Sequence, residues 1–153
     1  MKRERTWIVI ADGRQAKVLE SHGPNSTLVP VDDMVFAKVL PADREIQRDR
    51  PGRSFESSGP TRHAMENRTS PHRELKRELA GEVIDKLDSS LREGRFDRIA
   101  LVAPPTVLGD LRDALSESLR AKLVAELAKD LTKVPPQELP HRLEAIWGPK
   151  VNR

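Results

Sequence analysis

The sequence predicts an α/β domain in which a mixed β-sheet is covered by helices. Three observations carry this reading. Trp7 to Ala11 and Ile99 to Ala103 are short, continuous apolar runs, as expected of strands covered on both faces. Between them, Leu75, Leu79, Val83, Leu87 and Leu91 recur every fourth residue, the spacing of one helix face. Strands interleaved with helices of this kind stack as layers around a single core.

The elements follow in order. The run from Thr6 to Ala11 is rich in β-branched residues and suits a buried strand. Asp12-Gly13 signals a turn, and Ala16, Val18 and Glu20 continue beyond it with a period of two, so the pair reads as a hairpin. Gly23-Pro24-Asn25 makes the next turn, and Thr27 to Phe36 supplies a third strand. Pro30 has no amide hydrogen, which disfavours a central, fully paired position for that strand.

Ser70-Pro71 opens a helix with a capping residue and a proline at its first position, and Glu93-Gly94 closes it. Ala80 and Ile84 widen its leucine stripe, which lacks the a/d alternation of a zipper and is read as the face that covers the sheet. After the strand at Arg98 to Ala103, Pro104-Pro105-Thr106 leads into a helix with Val107, Leu108, Leu111, Leu115 and Leu119 on one side. Lys122 to Leu127 fits either an extension of that helix or a strand. Pro135-Pro136 starts a last short helix carrying Leu139, Leu143 and Ile146.

Composition bounds the function. At 153 residues the chain is the size of one domain, 1–153, and long enough to bury a core. Aromatic residues make up only 3%, which weighs against an RNA surface built on stacked rings. With no cysteine, disulfides, thiolate nucleophiles and cysteine-ligated zinc are excluded. The net charge of +3 permits an anionic partner without demanding one. The first apolar run ends at Asp12-Gly13-Arg14, too early for a signal-peptide core, and no run approaches the length of a membrane span. A cytoplasmic protein without cofactor or metal is the expectation.

Segment 38–69 breaks the pattern. It holds scattered prolines, glycines and serines and one large hydrophobe, Phe55. A long loop inside a small domain is usually functional or disordered. After Lys38 its basic residues are all arginine: Arg44, Arg48, Arg50, Arg53, Arg62 and Arg68. Guanidinium groups make planar, bidentate contacts to phosphate and stack on bases, so a flexible loop bearing them suits structured RNA.

Other residues offer chemistry by type alone. His63 and His72 offer imidazoles as acid, base or ligand, but neither belongs to a His-x-x-x-His or Glu-x-x-His pair that would set metal ligands on one helix face. Asp12 at a strand end invites a metal-dependent nuclease reading, yet one carboxylate is not a two-metal site, and Asp-Gly is more often a hairpin turn. Ser54, Ser57 and Ser58 lie in no Gly-x-Ser-x-Gly turn and read as polar loop residues.

Several stretches together resemble one family. Thr6-Trp7-Ile8-Val9-Ile10-Ala11-Asp12-Gly13-Arg14-Gln15-Ala16-Lys17-Val18 resembles the start of the bacterial host-attachment proteins. Gly52-Arg53-Ser54-Phe55-Glu56-Ser57 and Arg62-His63-Ala64-Met65-Glu66 resemble that family's loop. Arg95 to Pro105 and Lys129 to Pro135 resemble its middle strand and closing segment. The family's domain is in turn similar to the central domain of eukaryotic and archaeal peptide-chain release factors. There, the corresponding loop carries a Gly-Gly-Gln tripeptide that enters the peptidyl-transferase centre. Here the nearest counterpart is Gly59-Pro60-Thr61, without the glutamine and with a proline that has no N–H donor. Release-factor hydrolysis therefore does not carry over.

The resemblance implies a non-enzymatic factor that contacts the ribosome or other structured RNA. The residues expected to do so are Arg14, Arg53, Arg62, His63, Arg68 and Arg73, with Gly52 and Gly59 letting the loop bend. Two alternatives stand beside it: a protein-interaction factor in attachment to host cells, as the family name implies, and an RNA-ester hydrolase with His63 as candidate base.

Overall fold

The computed structural model describes residues 4–38 and 71–147. A five-stranded sheet in the order β3-β2-β1-β4-β5 organises them. Strand β1 (Thr6–Ala11) pairs antiparallel with β2 (Gln15–Ser21), which pairs antiparallel with β3 (Val29–Ala37). On its other side β1 pairs parallel with β4 (Arg98–Val102), and β4 pairs parallel with β5 (Leu123–Leu127). The mixed α/β architecture is thus the expected one. Pro30 sits in β3, an edge strand, where a missing amide hydrogen is tolerated. Segment 123–127 is a strand, which resolves the ambiguity of that short apolar run.

Because side chains alternate along a strand, β1 feeds two cores. Trp7, Val9 and Ala11 face one side with Ala16, Val18 and Met34, and Ile8 and Ile10 face the other with Leu19, Ala100 and Val102. Helix α1 (Pro71–Arg92) lays Leu79, Val83, Ile84 and Leu87 on the first face, each fully buried side chain contributing roughly 1.5–3 kcal/mol. It ends as the glycine signal predicts. Gly94 takes φ 74°, its amide donates to the Leu91 carbonyl at 2.9 Å and the Arg95 amide donates to Ser90 at 3.0 Å, closing a Schellman turn.

The next helical stretch is interrupted. Helix α2 (Pro105–Ala114) stops at Leu115, which is extended at ψ 135°. Ser116 then caps the short α3 (Glu117–Arg120), accepting the Leu119 amide at 3.1 Å and donating to Asp88 at 2.7 Å. Leu111, Leu115 and Leu119 still bury together, because the break redirects the chain without turning that face outward. The second sheet face is covered by the irregular C-terminal stretch. There two 3₁₀ turns (Pro136–Glu138 and Glu144–Trp147) flank α4 (Leu139–Arg142), and Leu131, Leu139, Leu143 and Ile146 fill the layer.

Candidate functional site

The parallel strands β1, β4 and β5 all end on one side of the sheet, at Ala11, Val102 and Leu127. Strand β3 also ends there, since Ala37 pairs with Gln15, and the Lys38 amide donates to the Arg14 carbonyl at 2.8 Å. Helix α1 starts at the same side: its Lys76 lies across Gly13. Lys38, which precedes residues 39–70, therefore meets the turn between β1 and β2, and helix α1, which follows them, reaches it through Lys76. Arg53, Arg62, His63, Arg68, Gly52 and Gly59 lie outside the described residues, as do Ser54, Ser57 and Ser58.

That turn is built around Asp12. Its Oδ1 accepts the Arg14 amide at 2.7 Å and the Gln15 amide at 2.9 Å, and its Oδ2 accepts the Thr132 hydroxyl at 3.0 Å. Burial pushes the Asp12 carboxyl up, but the two amides and the hydroxyl outweigh it and hold its pKa below the ordinary value. Thr132 also lies 2.6 Å from Asp130, which accepts the Thr132 amide as well. The carboxylate at this strand end thus works as a staple between the hairpin and the turn after β5. Among the described residues, no group of three or more His, Asp or Glu side chains is placed to hold a metal ion.

Gly13 gives the Lys76 stem room to lie close to the turn. Its φ is not positive, unlike that of Gly23 or Gly94. A Cβ there would stand 2.7 Å from Lys76 Cε, 3.1 Å from Cδ and 3.2 Å from Cγ, so three consecutive carbons of the lysine stem run along the turn. Arg14 next to it is exposed.

Arg73, in the first turn of α1, is engaged in a forked pair with Asp110 of α2, both contacts at 2.7 Å. The Asp110 side chain is only 9% exposed, so this pair fastens the start of one helix to the other. The hydrogen bond to Asp110 raises the Arg73 pKa above its ordinary value. His72 is half-buried at the same helix start.

Sequence reasoning placed Arg14 and Arg73 on this surface but missed Lys76, Lys129, Lys133 and the stapling residue Thr132. Only the Lys129–Pro135 stretch, which holds Lys129, Thr132 and Lys133, carried a signal, through its likeness to the family's closing segment. The contact of Lys76 with Gly13 joins residues far apart in sequence and has no local signature.

Comparison with known proteins agrees on the family and is thin beyond it. No curated protein matches the chain. An archaeal actin homolog solved with ADP is 16% identical, with a TM-score of 0.44 over 96% of this chain and 48% of that one. An archaeal translation termination factor is 13% identical, with a TM-score of 0.42 over 90% of this chain and 37% of that one. The chain spans less than half the length of these structures, and likenesses so slight say nothing of function. The model of the family described as protein required for attachment to host cells, in contrast, matches residues 7–143. That match takes in both hairpin strands, the long helix and the stapled strand-end turns, and the chain belongs to that family.

Proposed function

We propose that this protein is a non-enzymatic, RNA- or ribosome-associated member of the attachment family. The observation that carries the reading is convergence. The arginine-bearing segment leaves the fold at the strand-end surface, beside Arg14, and re-enters it through helix α1, whose Lys76 reaches the same surface. Arg53, Arg62 and Arg68 supply the phosphate contacts, His63 adds a polar one, and Gly52 and Gly59 allow close approach. Arg73 enters with its fork already on Asp110, so a phosphate there competes with a carboxylate.

Sedimentation of lysate through sucrose at low and moderate salt tests this. The wild type travels with ribosomes at low salt and is released at moderate salt, while the Arg53→Ala/Arg62→Ala/Arg68→Ala variant stays in the light fractions. If both proteins stay light, the reading is overturned. A second reading, a protein-interaction factor in attachment to host cells, is favoured by the family description. Surface labelling of intact cells supports it if the protein is labelled, and counts against it if only lysed cells yield signal. Among the described residues, no helix is long and apolar enough to cross a membrane.

A further inference from the structure

We infer that the strand-end surface of the folded body is itself a phosphate contact for RNA, with Lys76 as its positioned cation and Lys129 and Lys133 on the turn that Thr132 joins to Asp12. The inference deepens the RNA-binding reading above and rests on it.

The argument starts from Lys76. A surface lysine ordinarily loses side-chain freedom when it binds, and that loss offsets much of its electrostatic gain. Here the stem is already laid along Gly13, and the ammonium forms no ion pair among the described residues. The charge is therefore held in place and left available. Lys129 and Lys133 follow the end of β5 on the turn that Thr132 staples to Asp12. Both are exposed, and neither forms an ion pair among the described residues. The nearby acids are partly spent: Asp12 on two amides, Asp130 on the Thr132 amide, with the one Thr132 hydroxyl proton shared between them. Glu74, in the first turn of α1, opposes the patch, and Glu78 and Glu82 of the same helix are held by Lys38.

The chemistry favours phosphate over bases. The turns Asp12–Gln15 and Lys129–Lys133 contain no aromatic ring on which a base would stack. Lysines are strongly hydrated point charges that pair with backbone phosphates without reading sequence. The surface thus supplies affinity and orientation, and leaves discrimination to the arginine-bearing segment.

The test uses the full chain and a labelled RNA hairpin, with anisotropy titrations between about 50 and 200 mM salt. Lys76→Gln, Lys129→Gln and Lys133→Gln are each expected to reduce the slope of log affinity against log salt by about 0.7–1. Gly13→Ala keeps every charge and displaces only the flexible Lys76 stem, so it is expected to weaken binding less than Lys76→Gln. If Gly13→Ala does not fold, the lysine variants, whose melting should match the wild type, decide the matter. Lysine variants that keep the full slope while the loop-arginine variant loses it overturn this inference and leave the parent reading intact. A wild type that binds no RNA overturns both. Equal, equally salt-sensitive binding to a polyglutamate peptide overturns the assignment to RNA in favour of an acidic protein partner.

Discussion

The two ends of the parallel strands differ in how completely their charges are paired. Where β1 and β4 begin, charges are closed on one another. The Arg5 amide donates to Asp97 at 2.7 Å and its guanidinium donates to the same carboxylate, while Arg98 pairs with Glu4. Arg95 lies 5.0 Å over the Trp7 ring and forks onto Asp33 at 2.8 and 2.9 Å. The Trp7 indole donates to Glu20 at 2.8 Å, and Glu20 lies 3.2 Å from His22. Where the same strands finish, Lys38 pairs with Glu82 at 2.7 Å and Arg112 pairs with Glu126, while Lys76, Lys129 and Lys133 form no ion pair among the described residues. Paired charges fix a structure but offer little to a partner. The difference marks one end as foundation and the other as working surface.

The largest way to break this contrast is to remove the foundation's anchor. Trp7 is 1% exposed, packs against Phe96 with ring centroids 4.7 Å apart and carries Arg95 on its face. Trp7→Ala should cost about 3–5 kcal/mol in urea unfolding, through a cavity and a lost cation–π contact. A loss below about 1 kcal/mol would mean that this end is not the foundation.

The second test strikes a closed pair at the working end. Arg73→Ala leaves the nearly buried Asp110 without its fork and should cost about 1–3 kcal/mol. Arg73→Lys should restore only part of it, since an ammonium cannot match both oxygens. If lysine restores all of it, the pair acts by charge alone.

The smallest effect concerns acid. Hydrogen bonding to Arg95 holds the Asp33 carboxyl at about 2, below its ordinary 3.8. A depressed folded-state pKa adds stability above the ordinary value, and that stability is lost as pH falls from 3.8 through about 2. Melting temperatures should therefore show wild type above Asp33→Asn at neutral pH, with the gap closing between about pH 4 and 2. A gap that persists at the acid end would assign it to packing.

How much was legible follows from how local each cause is. Gly94 and Pro30 act through their own backbone, and both were readable before any contact was known. The run at Ile99 to Ala103 was equally plain, because only a doubly covered strand tolerates five apolar residues in succession. Lys122 to Leu127 was not: five or six residues satisfy helix and strand periods alike, and pairing with β4 decides. The break at Leu115 hid because Leu111, Leu115 and Leu119 keep helical spacing through it, with Ser116 the single local hint. The working surface was least legible. Asp12 meets Thr132 across 120 positions, and Lys76 meets Gly13 through the docking of α1 onto the sheet. Asp12-Gly13 was read as a hairpin turn, correctly, but the glycine gives room to the lysine stem and does not serve a left-handed backbone.

The outer strand β3 has a consequence for crowding. A strand offered by a neighbouring molecule would meet Pro30, which has no amide hydrogen to share, and then the exposed carboxylate of Asp32, next to Asp33 in its pair with Arg95. Two copies approaching edge to edge would bring their Asp32 carboxylates together and repel. Many copies gathered at high local density would thus keep their sheets separate and remain exchangeable units, resisting fusion into a fibril.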